Sequence, residues 1–92
     1  MSEIVHERAL ALDDGRGGRF DLVRVHGQEQ PDGTWHGWIE FRSAEGRSLE
    51  TERETTQSHR DGLAYWASGL EPVYFEGALA RVLGPGNPPR AL

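Results

Sequence analysis

Val23-Arg24-Val25-His26-Gly27-Gln28-Glu29-Gln30-Pro31-Asp32-Gly33-Thr34-Trp35-His36-Gly37-Trp38-Ile39-Glu40-Phe41 holds two alternating runs around the tripeptide Pro31-Asp32-Gly33. A three-residue hairpin loop is a type I turn closed by a residue at positive φ, which glycine adopts without steric cost. That loop sets Val25 opposite Ile39, Val23 opposite Phe41, Gly27 opposite Gly37 and Glu29 opposite Trp35. A two-residue loop on Asp32-Gly33 would place Ile39 against His26 and Phe41 against Arg24. Such a slip turns every side chain to the wrong face. Only the longer loop brings the apolar partners together.

Ala44-Glu45-Gly46 repeats the device. As a three-residue loop it puts Leu49 opposite Phe41, Thr51 opposite Ile39 and Thr55 opposite Trp35, whereas a turn on Glu45-Gly46 would aim Glu50 and Glu52 at the apolar row. The resulting three-strand meander has one face carrying Val23, Val25, Trp35, Ile39, Phe41 and Leu49. Its other face carries Arg24, His26, His36, Trp38, Glu40 and the alternating Glu50, Glu52 and Glu54. Arg24 falls across from Glu40, an opposite-charge pair worth about 0.2–1 kcal/mol. Arg53 points to the apolar side beside Gly37, where its stem can lie on apolar surface with the head lifted to water.

Upstream, Ile4 to Leu12 reads as a first strand and Phe20 to Val25 as the start of the second, joined through the loose loop Asp13 to Gly18. Pairing Leu12 with Phe20 and Leu10 with Leu22 collects four apolar residues at even positions, while Val23 and Val25 are odd. The change of phase near Leu22 and Val23 implies either a β-bulge or an outward apolar patch suited to a dimer contact.

Downstream the period changes from two to that of a helix. Ser58 followed by Asp61 resembles an N-cap, and Leu63, Trp66, Ala67 and Leu70 form a stripe that Gly69 ends as a left-handed cap. Pro72 suits the first turn of a second helix whose stripe is Phe75, Ala78, Leu79, Val82 and Leu83, closed by Gly84 and Pro85. Gly77 weakens that helix by about 1 kcal/mol. A short strand at Val73-Tyr74-Phe75 is the alternative. The fold expected is α+β: a four-stranded antiparallel meander with two C-terminal helices packed on one face, residues 1–84 forming a single domain. Residues 85–92, with three of the five prolines and no periodicity, read as a disordered tail.

The composition excludes several chemistries. There is no cysteine, hence no disulfide, thiol catalysis or cysteine-based zinc site, and all 10 basic residues are arginine, so no lysine is present for Schiff-base or P-loop chemistry. The abundance of arginine, glycine and alanine suggests a GC-rich bacterial source. A net charge of −5 opposes nucleic-acid binding. No apolar run approaches the roughly 20 residues of a membrane helix, and the amino terminus has no basic flank or apolar core, which leaves a cytoplasmic location and no membrane partner as the expectation.

Functional signals lie on the outward face. Glu50, Glu52 and Glu54 alternate at about 6.5–7 Å, a spacing that suits the two carboxylates of an inverting glycosidase. Charge along an edge strand also prevents edge-to-edge aggregation. His36, expected opposite Glu54 and Gln28, and His26 beside Trp38 have residue types that bind zinc, although no His-Glu-x-x-His pattern organises them, so no metal or cofactor is assigned. The same residues form a recognition surface in which Trp38 supplies contact area and a polar rim supplies specificity.

Other sites are weaker. The helix pair resembles a DNA-reading motif, but Arg81 stands against Glu71 and Glu76, the wrong balance for phosphates. Tyr65 and Tyr74 fit core packing with hydroxyls at the surface better than the walls of a groove. Ser58 beside His59 is explained by capping, and the glycine-rich loop precedes no phosphate-binding helix. The reading that follows is a non-catalytic interaction module, binding a protein partner or itself as a homodimer through His26, His36, Trp38, Glu52 and Glu54. A small hydrolase or lyase with a Glu/His pair is the alternative, favoured by a pocket around those groups and a raised carboxyl pKa.

Overall fold

The computed structural model describes residues 1–84 of the chain, so the tail expected at 85–92 lies outside the described residues. Five strands and two helices follow in order: β1 (Ser2–Asp13), β2 (Arg19–Glu29), β3 (Trp35–Arg42), β4 (Ser48–Glu50), β5 (Thr55–Gln57), α1 (Arg60–Ser68) and α2 (Pro72–Leu83). The sheet is antiparallel, ordered β1-β2-β3-β4, and β5 also pairs with β3. The last strand of the expected meander is thus present but interrupted. No described helix is long and apolar enough to cross a membrane.

Both hairpin loops close as their glycines require. Gly33 and Gly46 have φ of 89° and 92°, and the amides of Gln30 and Ser43 donate across the loop bases to the carbonyls of Thr34 and Arg47 at 2.7 and 2.9 Å. The register follows: Val25 pairs with Ile39, Val23 with Phe41, Gly27 with Gly37, and Leu49 with Phe41. Val23, Val25, Ile39 and Phe41 are fully buried and share a core with Ala67 of α1 and Phe75, Ala78 and Leu79 of α2. Both helices therefore lie on the odd-numbered face. Trp35, near the hairpin end, is only half-buried there.

The phase change near Leu22 is met by irregular pairing in β1. Ala9 pairs with Leu22 and Leu12 with Phe20, so β1 carries one more residue than β2 between these pairs. This bulge lets even-numbered Leu12 and Phe20 join odd-numbered Val23 and Val25 in the core. Leu22 is set against Ala9 rather than Leu10, and no outward patch of Leu12 and Phe20 exists for a dimer contact.

After Glu50 the chain departs from the expected register by two residues. Thr55 pairs with Gly37 and Gln57 with Trp35, while residues 51–54 leave the ladder. Thr51 holds the break: its amide donates to the Ile39 carbonyl and its hydroxyl accepts from the Ile39 amide at 3.0 Å. Arg53 is exposed, and Thr55 takes the place beside Gly37.

Leu63 explains the Gly27–Gly37 pair. A Cβ on Gly27 would lie 2.6 Å from one Leu63 methyl, and a Cβ on Gly37 would lie 2.5 Å from the other. Two facing glycines thus make a notch that seats α1 on the sheet.

The helix ends differ from expectation. Pairing of β5 through Gln57 keeps Ser58 from reaching the cap position, so His59 takes the extended cap backbone and no side chain caps α1. Gly69 is right-handed, at φ −89°. Arg8 of β1 reaches the carbonyls of Ala67 and Leu70 at 3.0 and 2.8 Å, and its guanidinium lies 4.8 Å over the Phe75 ring. A cation from the sheet therefore complements the negative end of α1. α2 begins with Pro72 and continues through Leu83, which excludes the strand reading of Val73–Phe75.

Candidate functional site

The face turned away from the helices is organised in rows, because residues directly opposite in antiparallel strands share a side. One row runs Ile4, His26, Trp38 across β1, β2 and β3. The next runs Glu7, Arg24, Glu40, Glu50. On the other side lie Ser2, Gln28, His36 and Thr56.

His26 and Trp38 stack flat, ring centroids 5.5 Å apart and planes 9° from parallel. The indole N–H of Trp38 donates to Glu50 Oε1 at 2.9 Å, fixing the ring edge. His26 Nε2 meets Glu40 Oε1 at 2.7 Å, while Arg42 and the Ser48 hydroxyl each donate to Glu40 Oε2 at 3.0 Å. Ile4, at 44% exposure, extends the row as an open apolar side chain.

Glu40 is the residue that sequence reasoning left out of the site. Its side chain is only 7% exposed although it stands on the helix-free face. Burial alone would raise its pKa, but hydrogen bonds from His26, Arg42 and Ser48 outweigh that cost and hold it below the ordinary value. The signal was present in the register, which places Glu40 between Arg24 and Glu50.

Among the residues expected to form the site, His26 and Trp38 come together. His36 occupies the neighbouring row, opposite Gln28 as expected and opposite Thr56 rather than Glu54. Glu52 is exposed in the 51–54 excursion and pairs with no strand; the carboxylate beside Trp38 is Glu50. Glu54 turns to the opposite side, because the two extra residues carry it toward α2. It accepts from the Tyr74 hydroxyl at 2.6 Å and from Arg81 at 2.9 and 3.0 Å, with a side chain 4% exposed.

These contacts also weigh on acid/base chemistry. Glu54 is drawn one way by burial, which raises its pKa, but hydrogen bonds from Arg81, Tyr74 and Thr51 set it below the ordinary value. The Tyr74 hydroxyl is pushed up to about 12 by burial and by Glu54. A general acid requires a carboxyl raised toward neutrality, the reverse of Glu40 and Glu54. Glu50 and Glu52 border a groove with Thr51, Arg81 and Val82 that does not include His36.

Chemically, the arrangement is a rigid aromatic plate with its polar edges tied down. The chain matches no protein-family model, no curated protein and no solved structure.

Proposed function

We propose that this protein is a non-catalytic interaction module that binds a second copy of itself through the helix-free face of its sheet. The observation that carries this reading is the Ile4–His26–Trp38 row, whose central rings are stacked and locked before any partner arrives. A preorganised aromatic anchor loses little side-chain entropy on binding, which favours its use as a contact centre.

Charge supports a second copy as the occupant. The chain carries a net charge of −5, so two copies repel over most approaches. On this face Arg24 is bonded to Glu7 and Arg42 to Glu40, leaving Glu50 as the excess charge of that group. Most of the charge on these rows is thus paired within the chain, and a two-fold arrangement sets each aromatic row against its own counterpart. The same acidic balance disfavours nucleic acid as a partner.

Sedimentation equilibrium tests the proposal. Wild-type protein is expected to show a dimer of 10.3 kDa chains, and Trp38→Ala and Ile4→Glu each to weaken association at least tenfold with the monomer fold retained. A wild-type monomer at every concentration, or a dimer indifferent to both substitutions, overturns it.

A further inference from the structure

We propose that His26, Glu40 and Glu50 form a binding site for a divalent transition-metal ion of the zinc type. His26 Nε2 and one carboxylate oxygen from each glutamate lie within 4.8 Å of one another. A tetrahedral zinc ion with bonds of about 2.0–2.1 Å separates its ligand atoms by about 3.3 Å. His26 Nε2 and Glu40 Oε1, now 2.7 Å apart, need to open slightly. Glu50, exposed at the end of β4, closes inward.

Two further features point to a cation. Glu40 and Glu50 stand directly opposite each other across β3 and β4, a like-charge pair that costs stability and that Arg42 relieves only at Glu40 Oε2, the oxygen not bonded to the imidazole. The donors are also oriented as metal ligands are, by an outer set of bonds. Arg42 and Ser48 hold Glu40 Oε2 and leave Oε1 directed at the imidazole, the Trp38 plate fixes the His26 ring plane, and the indole N–H holds Glu50.

Arginine compensates Glu40 from outside the position: Arg42 bonds its Oε2 at 3.0 Å. Arg24 Nη1 is 3.9 Å from Glu40 Oε1 while its Nε is committed to Glu7 at 2.6 Å. One imidazole nitrogen with two carboxylate oxygens is a donor set that zinc accepts. Binding replaces the His26–Glu40 hydrogen bond by two metal bonds, with the imidazole neutral, its single proton on Nδ1 and Nε2 turned to the ion. The fourth position opens on the exposed side of Glu50, where water or a partner's donor can enter.

The site does not depend on self-association, and its experiment separates the two. Zinc chloride is titrated into the 92-residue chain by calorimetry, and into His26→Ala, Glu50→Gln and the control His59→Ala, whose exposed residue lies outside the cluster. One zinc per chain is expected, with affinity reduced at least tenfold in His26→Ala and Glu50→Gln and unchanged in His59→Ala. Glu50→Gln alters one exposed side chain and serves should His26→Ala fail to fold. No saturable binding by wild type, or equal affinity in wild type and Glu50→Gln, overturns the metal site; sedimentation of the same samples reports separately on the dimer.

Discussion

Leu63 occupies the space that a side chain on Gly37 would fill, its methyl 2.5 Å from where that Cβ would stand. Leu63 is fully buried, so it cannot swing aside. Gly37→Ala is therefore expected to cost about 1–3 kcal/mol through overpacking, and Leu63→Ala about 2–5 kcal/mol through the cavity it leaves. In urea denaturation the double variant should lose less than the sum of the two, since each change relieves the other. Strict additivity would show that the notch does not seat the helix.

Arg8 ties β1 to the carbonyl end of α1 through Ala67 and Leu70. Arg8→Met keeps most of the stem over Phe75 but removes the donors, and should lower stability by about 1.5–3 kcal/mol, the range for hydrogen bonds to a charged group. Amide exchange should accelerate first around the α1–α2 junction. Uniform acceleration across the sheet would contradict this role.

Glu54 links the interrupted strand to α2, and its pKa makes that link sensitive to acid. A carboxyl whose folded pKa lies below the ordinary 4.5 contributes stability that is complete above that value and is lost as pH falls through the depressed one. Glu54→Gln should be less stable than wild type at pH 7, with the gap closing toward pH 3. Urea midpoints at the two pH values measure it. An unchanged gap would mean that Glu54 is not ionised in its pairing with Arg81.

Tyr74 gives the opposite sign. With its folded value raised from 10 to about 12, its contribution is complete below 10 and disappears as pH rises through 12. Tyr74→Phe should lose stability less steeply than wild type across that interval, as followed by circular dichroism.

The hairpins were legible because each loop offered two registers and only one gathered Val23, Val25, Ile39 and Phe41. α2 was legible from its spacing and from Pro72. The break after Glu50 was not, because nothing in Thr51-Glu52-Arg53-Glu54 signals it except a threonine that bonds Ile39 in three dimensions. That break moved Glu54 to the helical side and removed Glu52 from the plate. The cap of α1 was equally hidden, since its carbonyl partner is Arg8, about sixty positions upstream. His26, Trp38 and Glu40 came together because the register alone determines their rows, and only the burial of Glu40 required coordinates.

The central claim is that the helix-free face meets a second copy of the chain, and the indole N–H resonance of Trp38 reports on it most directly. On dilution, the Trp38 signal is predicted to shift in step with dissociation while those of Trp35 and Trp66, on the helical side, stay in place. A Trp38 resonance independent of concentration, or movement confined to Trp66, would contradict the account.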